Sequence, residues 1–87
     1  MNLFQEVMIW RMVEEGAAVR YCCIRDLNTN KYGVQSADFF RLPLDEKQFR
    51  FFEKQFVELF IEIPIQERCG WFDSIQEAID AHDKEFM

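Results

Sequence analysis

Glycine and proline are scarce, with three and two copies in 87 residues. No flexible or low-complexity linker therefore divides the chain, and its length suits one domain over residues 1–87. No apolar run approaches the roughly 18 residues that a membrane-spanning helix needs. The sequence has no C-x-x-C pair, no glycine-rich phosphate loop and no G-x-S-x-G elbow. Histidine occurs once, as His82. The three cysteines, Cys22, Cys23 and Cys69, cannot all pair within one chain. Asn2, Gln5 and Glu6 interrupt the opening residues, so no basic stretch leads into an apolar one. An odd cysteine count and no such leader give the expectation of a reducing, cytoplasmic location.

What is abundant is apolar and aromatic. Hydrophobic residues make up 49% of the chain and aromatics 16%, with ten phenylalanines; that composition builds a core and argues against disorder. The net charge of −6 is unevenly placed. Residues 1–57 balance eight acids with eight bases, whereas residues 58–87 carry eight acids against Arg68 and Lys84. The acidic third repels phosphate backbones, which disfavours nucleic acid and anionic membranes and leaves room for a basic protein partner.

The opening admits two periods. As a helix, Leu3, Phe4, Val7, Met8 and Met12 share a face; as a strand, Val7–Val13 is rich in β-branched and aromatic residues. The strand is favoured, because Glu14-Glu15-Gly16 then forms a hairpin loop into an immediate second strand. In Ala18–Leu27, Val19, Tyr21, Cys23 and Leu27 alternate with Arg20, Cys22, Ile24 and Asp26. Asn28-Thr29-Asn30 is turn chemistry, and Lys31–Phe40 follows with Tyr32, Val34 and Phe40 expected on one face. Asp45 and Gln48 form a capping-box pattern ahead of a helix whose inner arc is Phe49, Phe52, Phe56, Leu59 and Phe60. That helix should fail before Pro64, or Phe60–Ile65 could close as a fourth strand. Ser74 and Glu77 form a second capping box, opening a helix to about Phe86 with Ile75, Ala78, Ile79, His82 and Phe86 inside. The expected fold class is α+β: a three-stranded, alternatively four-stranded, antiparallel meander with two C-terminal amphipathic helices packed on one face.

Chemistry-bearing residues are few. His82 lies on an apolar helix face, where a packed core histidine is the plain reading. A thiol enzyme would pair it with Cys69, flanked by Arg68 and Gly70, but no oxyanion hole or third orienting group is recognisable. Cys22 and Cys23 are adjacent on a strand and point to opposite faces, so a zinc site is not expected. No catalytic, cofactor or metal residue is assigned. Phe51 breaks its local pattern: it falls on the charged side of its helix among Lys47, Lys54 and Glu58. Either the Ile63–Trp71 connection covers it or another molecule does. Phe51, Lys47, Lys54, Glu58 and Trp71 are therefore the candidate interface, and in a homodimer a lysine of one copy could meet Glu58 of the other.

The stretch Trp71-Phe72-Asp73-Ser74-Ile75-Gln76-Glu77-Ala78-Ile79 resembles the loop-to-helix ending of many small bacterial domains of unknown function. It covers about a tenth of the chain. The resemblance implies a bacterial or phage origin and transfers no site. The function expected from the residues is a non-enzymatic protein-interaction module, with a protein partner or a second copy of itself. The alternatives are an acidic inhibitor or mimic that binds a basic protein, and a thiol enzyme using Cys69 and His82.

Overall fold

A computed structural model describes residues 2–86. Its elements run β1 (Phe4–Glu14), β2 (Ala17–Asp26), β3 (Lys31–Arg41), α1 (Glu46–Glu62), α2 (Ile65–Arg68) and α3 (Ile75–Phe86). The strands form one antiparallel sheet in the order β1-β2-β3, so the fold is α+β with a three-stranded meander followed by helices. The segment with two readable periods is a strand. The hairpin turn is tighter than the sequence suggested, with Glu15-Gly16 between the strands and Gly16 at φ 77°, a conformation that only glycine adopts without steric cost. Asn30 takes φ 59° in the second turn, as asparagine tolerates.

Capping sets the helix ends. The Asp45 carboxylate accepts from the N–H groups of Lys47 and Gln48 at 2.9 and 3.4 Å. α1 stops at Glu62, with Ile63 extended ahead of Pro64. Ser74 Oγ accepts from the Glu77 N–H at 3.1 Å and opens α3. The alternative fourth strand over Phe60–Ile65 does not form. Phe60 completes the inner arc of α1, and Ile65 begins the helical turn α2 and is buried. The outer edge of β3 instead meets the chain at a single bridge, where Tyr32 and Phe72 exchange backbone hydrogen bonds of 2.8 and 2.9 Å. The connection lies so close there that a Cβ on Gly33 would sit 2.9 Å from Cys69 Cβ.

Two expectations about faces are corrected. The helices do not share one face of the sheet. Cys22 and Ile24 pack with Phe56 of α1, Ile65, Phe4 and Met8, while Tyr21 and Cys23 pack with Ile79 of α3, Val7, Ile9 and Val34. The cause is in β2, where Tyr21-Cys22-Cys23-Ile24 is apolar at every position. A strand apolar on both sides needs a cover on each. Val34 and Phe40 do not share a face either. Gln35 is an extra residue in β3 at the register shift opposite Cys22 and Cys23, and one extra residue inverts the alternation. Tyr32 and Val34 therefore lie on the α3 side, and Phe40 lies on the α1 side, its ring 5.5 Å from that of Phe52.

Both helices pack closest to β3. Side chains of β1 still pack under both helices, but among the described residues its outer edge has no backbone partner. No helix among the described residues is long and apolar enough to cross a membrane.

Candidate functional site

Cys69 and His82 do line one cleft, of about 660 Å³, between α3 and the sheet. Their chemistry there is subdued. The Cys69 thiol donates to the Val34 carbonyl at 3.3 Å, and burial pushes its pKa up against the opposing pull of Arg68. A thiol held this way is a poor nucleophile at neutral pH. The His82 ring stands edge-on to Tyr21 at 6.0 Å and lies 4.7 Å from Phe86. Burial lowers its pKa, and Asp83 and Glu85 only partly offset that. Its Nδ1 is 4.0 Å from the Asp83 carboxylate, beyond hydrogen-bond reach. No hydrogen bond joins Cys69 to His82 among the described residues.

The other two thiols are deeper. Cys22 and Cys23 belong to opposite faces, and burial, more than any neighbouring charge, raises them to about 11 and about 12. Among the described residues no group of three or more histidine, cysteine or carboxylate side chains is placed to hold a metal ion.

The charged residue that sequence reasoning missed is Arg20. Its side chain is 7% exposed and donates to Asp38 at 2.9 Å and to Glu53 of α1 at 2.6 Å. The guanidinium lies 5.1 Å from the Phe40 ring centre and 5.8 Å from those of Trp10 and Phe49. Burial works against its charge, but the two carboxylates more than offset this and its pKa is raised. A signal was present: Arg20 shares its parity in β2 with Cys22 and Ile24, and a cation on a buried side needs a partner.

Beside this cluster the sheet end opens into an apolar pocket of about 320 Å³, lined by Trp10, Met12, Phe40, Leu42, Leu44 and Phe49 among others. Local sequence builds it. Leu44 and Phe49 hold the N′ and N4 positions around the Asp45 cap, where hydrophobic staples form, and Leu42 leaves β3 beside Gly16 through an N–H bond of 2.8 Å to its carbonyl. Met12 is 73% and Leu42 67% exposed, so the rim faces water. Neither residue was nominated from the sequence, because rim and core look alike in a strand pattern.

Of the nominated interface, Phe51 is 59% exposed and touches its neighbour Phe52, with ring centres 6.1 Å apart. The Ile63–Trp71 connection does not bury it. Lys47 is exposed, and Lys54 pairs with Glu58 at 3.1 Å one turn along α1. Trp71 is spent within the fold: it is half-buried and stacked on Phe4 at 6.4 Å. The structure therefore does not bring Trp71 and Phe51 into one exposed patch.

No family model, curated protein or solved structure matches the chain.

Proposed function

We propose that this chain is a non-enzymatic protein-interaction module that binds through exposed apolar side chains. The observation that carries the reading is a balance. Fourteen large hydrophobic residues are exposed among the described residues, against ten hydrophobic residues that are buried. Scattered exposed apolar residues are ordinary, but here Trp10, Met12, Leu42, Leu44 and Phe49 converge on one pocket. Such a pocket accepts an apolar anchor from a partner, with Phe51 as a second contact further along α1. The raised thiol pKa values and the packed, weakly basic His82 support a role other than thiol catalysis.

The test places a photo-reactive phenylalanine analogue at Leu44, at Phe51 and, as a control, at the exposed Glu62, in cells that make the protein. A discrete adduct from Leu44 or Phe51 that disappears when Met12→Asp is added supports the reading. Adducts indistinguishable from those at Glu62 would overturn it.

The reading as an acidic mimic draws support from the carboxylates of α3. Glu77 and Glu85 are exposed and, among the described residues, make no ion pair. Binding through them weakens steeply with added salt, whereas binding through the apolar pocket does not.

A further inference from the structure

We infer that two copies of this chain join through the outer edges of their β1 strands, extending the sheet to six strands across a two-fold axis at Met8. The pairing names a second copy as the partner of the exposed surface around Trp10 and Met12, and it rests on the interaction reading above.

The two edges of the sheet are treated differently. The outer edge of β3 is engaged by its own chain. Phe72 bridges Tyr32, the Cys69 thiol donates to the Val34 carbonyl, and Arg68 donates to the Gln35 carbonyl at 3.5 Å. Among the described residues, β1 has nothing comparable along its eleven residues. It holds no proline, glycine or lysine, the residues that commonly blunt a free edge. Its irregularity is confined to one end, at Val13 between Met12 and Glu14. Phe4–Met12 therefore remains a regular edge of about 30 Å.

The register is self-complementary. In an antiparallel pair, residues directly opposite each other lie on the same face. A two-fold axis at Met8 sets Met8 against Met8, Val7 against Ile9, and Phe4 against Met12. It also sets Gln5 against Arg11 and Glu6 against the Trp10 indole. Apart from Glu6 against Trp10, apolar residues meet apolar ones, and no like charges face each other. The strongly exposed Met12 gains the Phe4 ring as a neighbour. Other registers are worse. An axis at Ile9 sets Val7 against Arg11 and Glu6 against Met12, and an axis at Trp10 sets Glu6 against Glu14. An axis at Val7 sets Glu6 against Met8 and leaves Arg11 and Met12 beyond the pairing. By backbone proximity both helices lie nearest β3, although Phe60 of α1 packs on Phe4 with ring centres 5.8 Å apart.

Gln5 offers the test, because it is exposed and occurs twice across the axis, opposite Arg11 each time. Sedimentation velocity over a wide concentration range should show a dimer. Gln5→Glu should tighten it, and Gln5→Arg should loosen it, each by about three- to tenfold in dissociation constant. Thermal unfolding of dilute Gln5→Arg checks its fold, and the tightening by Gln5→Glu is a gain that a misfolded chain cannot deliver. A chain that stays monomeric at every concentration would overturn the pairing. So would a dimer indifferent to both Gln5 substitutions but broken by Leu44→Glu or Phe51→Ser, although that outcome leaves the apolar surface as an interaction site.

Discussion

On the α1 side of the sheet, a buried cation is gripped by two carboxylates and framed by three aromatic rings. On the α3 side, the equivalent tie is one carboxylate shared at the rim. Asp83 accepts from the Tyr21 hydroxyl at 2.9 Å and from Arg11 at 2.8 Å, and the Arg11 side chain is 44% exposed. Adjacent residues of β2, Arg20 and Tyr21, anchor the two arrangements. Alternation along one strand thus gives a dry, ion-locked face and a wetter face with an open cleft. The stability of the two layers should differ accordingly.

The largest effect is expected at Asp38. Asp38→Ala leaves Arg20 buried with only the half-exposed Glu53 as partner, and should cost about 3–5 kcal/mol in denaturant unfolding. Replacing both, as Arg20→Met with Asp38→Val, should recover much of that, since two apolar groups leave no stranded charge. A loss no greater than that of a surface substitution in the single variant would break the contrast between the faces. Asp83→Ala should cost less, about 1–3 kcal/mol, because the Tyr21 hydroxyl loses its acceptor at a site water can reach.

A milder signature belongs to His82, which faces Tyr21, Asp83 and Phe86 with Glu85 nearby. Its folded pKa lies below the ordinary 6.5, so the unfolded chain takes up a proton more readily. The contribution of neutral His82 is complete above pH 6.5 and declines as pH falls toward the folded value. Unfolding midpoints measured from pH 7.5 down to 5 should show this decline, and His82→Gln should flatten it. The depressed Asp83 acts in a lower window: its contribution is present above the ordinary carboxylate value of 3.8 and is lost as pH falls through the folded pKa. A wild-type profile that rises as the solution is acidified from pH 7 to 5 would contradict the burial of His82. The smallest effect should be that of Phe51→Ser, below about 0.5 kcal/mol in dilute solution, because the ring is already exposed. Greater destabilisation independent of protein concentration would make Phe51 part of the α1 layer after all.

The legible parts of this fold are local. Asp45 and Ser74 mark helix starts with their own side chains, Pro64 limits α1, and Gly16 and Asn30 accept the positive φ that their turns require. Strand periodicity located β2 and β3 to within a residue or two. It failed at Gln35, because a bulge leaves composition unchanged while inverting every side chain beyond it. It was silent on Arg20, whose neighbours of like parity, Cys22 and Ile24, are buried. The run Tyr21-Cys22-Cys23-Ile24 already implied a cover on both sides of the sheet.

The sequence by itself determined β2, β3 and the capped starts of α1 and α3, because those depend on backbone preferences and hydrogen bonds spanning two to four residues, while β1 kept two readable periods and α2 carried no mark of its own. Tertiary structure decided which helix covers which face, that Phe51 stays in water while Trp71 stacks on Phe4, and that Arg20 finds its carboxylates. Those outcomes rest on partners far apart in the chain: Arg20 and Glu53 are separated by 33 residues, and Tyr21 and Asp83 by 62. No local pattern records such pairings, because they exist only once the sheet has brought its faces and the helices together.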